Sequence, residues 1–386
     1  MLSSTLAPFS GFSSKLARIV ALSCAITFAL PGTSGTATDT PATAKHSATG
    51  TYELKAGLDG EIYPAFANYA SMKSPTRRTS GTITVEVTNP GPEALRNRIV
   101  VQIPGWSDPE IQSIELAPGE SHVYLFAPTL LRRAYQNREI AAATATMSAT
   151  DATGQVTDQE TTPVRVRSVD DLYWGRDFEY ASFVASWVTP HAAEVEQLLA
   201  RAKEFMPGRR LPGYESSNPA VQDRSTLQQA SAIYRALQEQ GVSYVKSSMT
   251  LGGHQEFSER IKMPAESLTH FSANCIDGAV LYAAMFENLG MDPVIALVPG
   301  HAYVGVRMAA NSSRYLYIET SLTGRTTFVR SLASARASMA RFRPSQFIRI
   351  DIRQARADGI YPMPSPELNQ RPPVLDASRT LGHPGN

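Results

Sequence analysis

The sequence contains almost no cysteine. Its 386 residues include two, Cys24 and Cys275. Cys24 lies in an N-terminal apolar stretch with the features of a cleavable export signal, so the exported chain would keep one thiol and form no internal disulfide. A lone thiol in an oxidising compartment is a liability unless it is buried or used. Cys275 is therefore the first residue for which the sequence suggests a chemical role.

The sequence also lacks an excess of either charge. Lys and Arg number 36 against 35 Asp and Glu, a formal net charge of +1, so the composition gives no indication of a nucleic-acid partner. A Gly-rich phosphate loop and a Gly-x-Ser-x-Gly elbow are both missing. We therefore expect no cofactor, no nucleic-acid partner and no serine nucleophile.

The N-terminus has the layout of an export signal. Lys15 and Arg18 precede an apolar run at residues 19–30, and small residues then lead to a cleavage position near Ala37. We predict a signal peptide over residues 1–37 and a periplasmic or extracellular protein. An uncleaved anchor, a disordered N-terminus and, less well supported, a lipoprotein acylated at Cys24 are the alternatives. No other run approaches the roughly 20 apolar residues of a membrane helix, so we expect no stable membrane insertion after cleavage.

Residues 51–168 have a β pattern. Gly81 to Thr88 alternates apolar and polar residues with the period of a half-buried strand, and a Pro-Gly turn follows. Further strands are predicted at 98–104, 111–116, 121–126, 142–148 and 162–166. Turn signals at this spacing indicate a β-sandwich, and the stretch from Val85 to Phe126 resembles bacterial immunoglobulin-like domains. Residues 38–50 are small and polar and are predicted to be a flexible leader.

From about residue 169 the pattern changes to mixed helix and strand. Thr189-Pro190 predicts a helix start, and Ser225 to Gln240 predicts a second helix that ends at Gly241. The decisive segment is Asn274 to Leu289, in which Asn274 is a good N-cap and apolar residues repeat at helical spacing. Cys275 then lies in the first helical turn, where backbone N–H groups and the helix dipole favour a thiolate and could stabilise an oxyanion.

Two further residues complete a predicted catalytic triad. His301 follows a Pro-Gly turn and opens a predicted strand at 301–307, and Glu319 ends another at 315–319. On adjacent antiparallel strands these two side chains would be close enough for a hydrogen bond. The order Cys, His, acid predicts a nucleophile, a base and an orienting carboxylate. The non-catalytic alternatives are that Cys275 is a buried packing residue, His301 a turn residue and Glu319 a solvated strand end.

The run CIDGAVLYAAMFENLGMDPVIALVPGHAYVGVR, followed by YLYIETS, resembles the bacterial transglutaminase-like superfamily. This resemblance implies a papain-like core with Cys275 as nucleophile, His301 as base and Glu319 as orienting acid. The sequence departs from the usual pattern at two positions: the acid is more often Asp, and Gly is common where Asn274 stands. The resemblance to this superfamily covers about residues 240–325 well and residues 170–360 loosely.

Other polar residues near these segments have weaker claims. Gln255 is a low-ranking candidate for an extra oxyanion donor because it is polar and lies upstream of Cys275. His254 and His270 could join Cys275 at a metal, but their spacing matches no tetrahedral zinc pattern, so we predict no metal site. Asp277 lies in the first helical turn, where an acid favours the helix dipole, and is predicted to be structural.

The sequence thus predicts an α+β protein, an N-terminal β-sandwich at 51–168 followed by a papain-like transglutaminase-type domain at 169–360. In the latter the cysteine helix should pack on an antiparallel sheet. A Pro-rich tail at 361–386 is expected to be extended. The expected function is cysteine hydrolysis of a peptide or amide through a thioester, on a peptide, protein or cell-wall substrate. The alternatives are an amine-transferring transglutaminase, a non-catalytic peptide- or cell-wall-binding module, and a structural envelope protein with a buried Cys275.

Overall fold

The computed structural model describes residues 50–67, 83–246, 249–251 and 257–364. The predicted signal peptide with Cys24, nearly all of the leader, His254, Gln255 and the tail beyond residue 364 lie outside these ranges. The predictions made for them stay predictions.

The N-terminal part of the chain folds mainly as strands. Its elements are β1 (Thr51–Ala56), β2 (Glu61–Ile62), α1 (Pro64–Ala67), β3 (Ile83–Thr88), β4 (Leu95–Gln102), β5 (Glu110–Leu116), β6 (Ser121–Phe126), α2 (Arg132–Gln136), β7 (Ala141–Thr150) and β8 (Val156–Val166). Strands β1, β3 and β6 form an antiparallel sheet in that order. A second sheet has the order β2-β8-β7-β4-β5 and is antiparallel except for the β2–β8 pair.

Alternating side chains join these two sheets into one hydrophobic cluster. Ile83, Val85 and Val87 of β3 are buried, whereas the residues between them are partly exposed, as the period-2 pattern predicted. Ile99 and Val101 of β4, in the other sheet, belong to the same cluster. Each of the strands predicted from the sequence in this region is present, with ends that differ by a few residues.

The C-terminal part mixes helices and strands. Its elements are β9 (Asp171–Gly175), α3 (Ala193–Ala202), α4 (Pro219–Gln240), β10 (Ser243–Tyr244), β11 (Met249–Leu251), β12 (Phe257–Arg260), α5 (Pro264–Thr269), β13 (Ser272–Ala273), α6 (Cys275–Asn288), β14 (Pro293–Val298), β15 (His301–Arg307), β16 (Tyr315–Ile318), α7 (Phe328–Met339), β17 (Ile348–Asp351) and α8 (Ile352–Ala357). The main sheet is antiparallel with the order β16-β15-β14-β17. The protein is therefore α+β.

Helix α6 lies at the centre of this region. Its residues from Ile276 to Phe286 are all buried, which explains why the segment is apolar on every side. The helix packs on β14 and β15. On another side of the sheet, Ala335 of α7 forms a small apolar cluster with Tyr303 and Val298. The sheet that carries His301 is thus held between packed helices.

Two helix starts differ from the sequence prediction. Helix α3 begins at Ala193 and not at Pro190, whose carbonyl oxygen accepts a hydrogen bond of 2.8 Å from the side chain of Asn288. Helix α4 begins earlier than predicted, at Pro219, because Asn218 caps it by accepting from the backbone N–H of Ala220. Its predicted end is confirmed, since Gly241 has the left-handed φ of +83° that a C-terminal glycine provides.

The segment that joins the two regions is buried and hydrogen-bonded. Ser168 and Val169 are almost fully buried, and the backbone N–H of Val169 donates to Asn137 O at 2.9 Å. The described residues fall into one compact unit. Tyr63 and Phe66, beside and in α1, belong to the same hydrophobic cluster as α6 and not to that of the N-terminal sheets.

Candidate functional site

Cys275 is the first residue of α6 and is partly buried. Asn274 caps the helix with its side-chain oxygen, which accepts from the backbone N–H of Asp277 at 2.7 Å. The Asp277 carboxylate in turn accepts from the Asn274 N–H at 3.0 Å, which completes a capping box. The capping box gives Asn274 a structural role at this position. It uses neither the amide of Cys275 nor that of Ile276, so both remain at the positive end of the helix.

Asp277 has a structural role, as predicted. Its side chain is buried, and its other oxygen accepts from the backbone N–H of Lys262 at 2.8 Å. Burial raises the pKa of Asp277, and the hydrogen bonds from Asn274 and Lys262 oppose that effect. The carboxylate therefore fixes the approach of the chain to α6 and leaves the reactive sulfur to other partners.

His301 opens β15 after a tight turn in which Gly300 has a φ of +75°. Its Nε2 lies 2.8 and 3.0 Å from the two carboxylate oxygens of Glu319. A side-chain hydrogen bond also links His301 to Cys275. Because Nε2 is bonded to the carboxylate, Nδ1 is the ring nitrogen left for Cys275. The edge of the imidazole packs on Tyr303 with ring centroids 4.7 Å apart, which restricts its rotation.

Glu319 directly follows β16, and the register of the sheet brings it next to His301. Strand β16 pairs with β15 through Val304 and Ile318, so the next residue comes beside the start of β15. The carboxylate also accepts from the hydroxyl and the N–H of Ser321, at 2.6 and 3.2 Å. These bonds hold a glutamate at the place where the suggested superfamily more often has the shorter aspartate. The prediction that His301 and Glu319 are neighbours on antiparallel strands is confirmed.

The pKa values of His301 and Glu319 are shifted in directions that favour the charged form of each side chain. Burial lowers the pKa of His301, but hydrogen bonds to Cys275 and Glu319 and attraction to their negative charges outweigh it and raise the pKa from 6.5 to about 9. Burial raises the pKa of Glu319, but the hydrogen bonds from His301 and Ser321 outweigh it and hold the pKa below its ordinary value of 4.5. Both shifts favour the charged forms, an imidazolium at His301 and a carboxylate at Glu319.

Glycine 278 allows the strand end and the cysteine helix to meet. A Cβ at Gly278 would lie 2.6 Å from Oγ1 and 2.9 Å from Cβ of Thr320, the residue after Glu319. With hydrogen in place of that Cβ, the Thr320 hydroxyl donates to the carbonyl oxygen of Cys275 at 3.4 Å. The following turn is fixed by Tyr282, whose hydroxyl lies 2.9 Å from that of Thr323. The distance between nucleophile and acid thus depends on a glycine.

Sequence reasoning missed Tyr244 of β10. Strand β10 pairs in parallel with β13, which leads directly into Cys275. Burial and the negative charges of Cys275 and Glu319 raise the pKa of Tyr244. The phenol of Tyr244 therefore interacts electrostatically with these two side chains. The side chain is 40% exposed. An aromatic residue three positions after the helix-ending Gly241 was the available signal, but so short a strand shows no periodicity.

The remaining sequence candidates gain no support from the described residues. Gln255 lies outside the described residues, as does His254, so the oxyanion prediction for Gln255 stays untested. Within the described ranges, no group of three or more His, Cys, Asp or Glu side chains is arranged to hold a metal ion. Among the helices in those ranges, none is both long and apolar enough to cross a membrane.

The chain matches no protein-family model and no curated protein. Among solved structures it is similar to the crystal structure of a FixG-related protein from Vibrio parahaemolyticus. That match has 15% sequence identity and a TM-score of 0.20 and covers 31% of this chain and 96% of the other. A similarity at this TM-score carries no argument for the fold or activity of this chain. The resemblance to transglutaminase-like proteins therefore depends on the residues of the site.

Proposed function

We propose that this protein is an exported cysteine hydrolase of the transglutaminase-like type, with a papain-like C-terminal domain behind an immunoglobulin-like β-sandwich. The observation that carries the proposal is the hydrogen-bonded series Cys275, His301, Glu319. A packing cysteine has no need of a buried, charged partner pair, because burying such a pair costs free energy. The proposed substrate is a peptide, protein or cell-wall amide.

The first chemical step would be acylation of Cys275. The thiolate sulfur attacks the carbonyl carbon of the amide, a C–S bond forms, and the carbonyl oxygen becomes an oxyanion. The free amides of the first turn of α6 point to that oxygen, and the Tyr244 hydroxyl is our candidate for a second donor. His301 then gives its Nδ1 proton to the leaving nitrogen, the C–N bond breaks, and a thioester remains.

The second step would return the enzyme to its starting state. His301, now neutral, accepts a proton from water as the water oxygen attacks the thioester carbonyl. The C–S bond breaks, the acid product leaves, and the imidazolium–thiolate pair is restored. Glu319 stays ionised throughout and holds the imidazole with Nδ1 toward the sulfur. If a primary amine replaces water, the same steps give a new amide, which is the transglutaminase alternative.

The decisive test is alkylation of Cys275 as a function of pH. In a Cys24→Ser background Cys275 is the one remaining cysteine, so iodoacetamide incorporation measured by mass spectrometry reports on that thiol alone. The proposal predicts rapid alkylation at pH 6, where a free thiol with an ordinary pKa of about 8.5 is almost fully protonated. His301→Ala should remove the reactivity at pH 6, and His191→Ala, at an exposed histidine, should not. Alkylation that begins only above pH 8 in the Cys24→Ser protein would contradict the proposal.

The same chain can distinguish hydrolysis from amine transfer. The protein would be incubated with a glutamine-rich protein and a labelled primary amine. Release of ammonia without incorporation of the label indicates hydrolysis, and incorporation that is lost in Cys275→Ala indicates transfer. If Cys275 is alkylated at pH 6 but neither product forms with any amide substrate offered, the non-catalytic binding module becomes the better interpretation.

A further inference from the structure

The chain between Glu319 and Asp351 contains no Asp, Glu, Lys or His. Its charged residues are all arginines: Arg325, Arg330, Arg336, Arg341, Arg343 and Arg349. The rest of the chain has 30 Lys and Arg against 35 Asp and Glu, so its charge of −5 offsets the +6 of this segment and leaves the net charge of +1. A segment of one sign in a balanced sequence produces a local positive field that the net charge conceals.

These arginines are exposed and mostly without ionic partners. All six are classed as exposed, and none of them forms a salt bridge with a carboxylate among the described residues. Arg307, Arg314 and Arg356, close by in the sequence, each have such a partner. Arg349 stacks on the ring of Tyr315 at 5.1 Å and is set aside. The other five are exposed arginines that form no salt bridge with a carboxylate among the described residues.

Helix α7 adds an apolar component to this surface. Its inner side carries Ser331, which hydrogen-bonds the backbone of Glu319, and the buried Ala335. Its outward side carries Val329, Ala333 and Ala337, spaced four residues apart, with Arg330 and Arg336 beside them. Val329 is 72% exposed, the largest fraction among the exposed large hydrophobic residues of the described chain. An apolar strip with arginines beside it is typical of helices that lie in a membrane interface.

We propose that this arginine surface, formed by Arg325, Arg330, Arg336, Arg341, Arg343 and the outward side of α7, binds the anionic phospholipid surface of a membrane. The charge is complementary to phosphate headgroups, and Val329 favours lipid because an apolar side chain gains nothing from a nucleic-acid backbone. The attachment is peripheral and needs no spanning helix. It is independent of the catalytic proposal, since none of these side chains belongs to the triad.

The test measures binding of the full chain to sedimenting vesicles. Vesicles of phosphatidylcholine with about one third phosphatidylglycerol are compared with pure phosphatidylcholine at about 0.1 M salt, where surface charges still act within a Debye length. The triple variant Arg330→Gln, Arg336→Gln and Arg341→Gln should bind the anionic vesicles more weakly by about fivefold for each arginine, roughly a hundredfold in total. The same three positions changed to Lys should restore most of the binding.

A matched control separates the effect of this surface on vesicle binding from the effect of net charge. Arg96→Gln, Arg210→Gln and Arg235→Gln remove the same charge at exposed arginines that pair with carboxylates, and should leave vesicle binding unchanged. All variants share the N-terminal apolar stretch, so its contribution to binding cancels. Equal binding to neutral and anionic vesicles would overturn the proposal, and so would equal losses in the two triple variants. If the Arg330, Arg336 and Arg341 variant loses binding to a DNA duplex but binds vesicles as the wild type does, the surface binds nucleic acid and the membrane proposal is refuted.

Discussion

Replacing Glu319 by Gln removes the negative charge beside His301 with almost no change in side-chain volume. In the wild-type protein both carboxylate oxygens lie within 3.0 Å of Nε2. Burial is the largest single influence on the histidine and lowers its pKa, and it remains in the variant. The contributions of Glu319 that oppose burial are lost. The pKa of His301 should therefore fall from about 9, although the contribution of Cys275 remains.

The size of the effect depends on how far this pKa falls. At pH 7.5 a group with a pKa of about 9 is about 97% protonated, and a lower pKa reduces that fraction and with it the positive charge beside Cys275. Stability should change as well. A histidine whose pKa is raised on folding stabilises the protein fully below pH 6.5, and that stability is lost as the pH rises toward 9. In the variant this loss of stability should be smaller and should be complete at a lower pH.

Two measurements check the prediction. NMR titration of the histidine ring signals gives the apparent pKa, and a His301→Gln sample identifies the right signal among seven histidines. The alkylation rate of Cys275 at pH 6 to 8 reports the thiolate population in the same samples. If the titration of His301 and the rate in Glu319→Gln match those of the wild type, the carboxylate does not orient or charge the histidine.

Three further outcomes are expected. Cys275→Ala should abolish amide cleavage, and His301→Ala should reduce its rate nearly as much, because members of a triad act as a unit. Amide cleavage by Cys275→Ala would contradict the proposed mechanism. Gly278→Ala should reduce activity more than stability, since a Cβ 2.6 Å from Thr320 Oγ1 moves the acid away from the thiol at a cost of about 1–3 kcal/mol, while alanine favours the helix by up to ~1 kcal/mol. Thr320→Gly should partly restore the activity of Gly278→Ala. N-terminal sequencing of the exported protein should give a start near residue 38, and an intact N-terminus would contradict the export signal.

Patterns that depend on neighbouring residues in the chain were predictable from the sequence. The strands around Ile83 and Val85 alternate with burial, and helix α6 begins at Cys275 after its Asn274 cap. The hairpin that carries His301 has the bounds expected from its Pro-Gly turn. Each of these features is set within a few residues by alternation, capping or turn chemistry.

Features that depend on tertiary contact were not predictable. The helix expected at Pro190 starts at Ala193, where distant Asn288 binds the Pro190 carbonyl. Tyr244 enters the field of the site through a two-residue strand that has no pattern of its own. From the sequence, Gly278 is expected only to destabilise its helix. The structure shows that a Cβ at this position would collide with Thr320. In each case the partner lies tens of residues away in the chain.

The boundary near residue 169 is the last feature that can be tested. From the sequence alone, a fragment beginning near Asp170 should fold by itself, and protease should cut between about Val166 and Tyr173. The structure argues for a different outcome, because that segment is buried and hydrogen-bonded. Phe66 of α1 also packs with Tyr180 and Phe183 in the cluster that contains α6, with ring centroids 5.1 and 4.5 Å apart.

Removing residues before 170 therefore removes part of the core around α6. Burial of a large aromatic side chain is worth about 1.5–3 kcal/mol, and Tyr63 and Phe66 are both buried, so the fragment should lose roughly 3–6 kcal/mol of a total that is typically about 5–15 kcal/mol. We expect the 170–386 fragment to unfold at a much lower urea concentration than the full chain. Phe66→Ala in the full chain should speed denaturant-dependent alkylation of Cys275, and Phe126→Ala, in the cluster of the N-terminal sheets, should do so less. If fragment and full chain unfold at the same urea concentration, α1 adds nothing to the core and the two regions are separate domains.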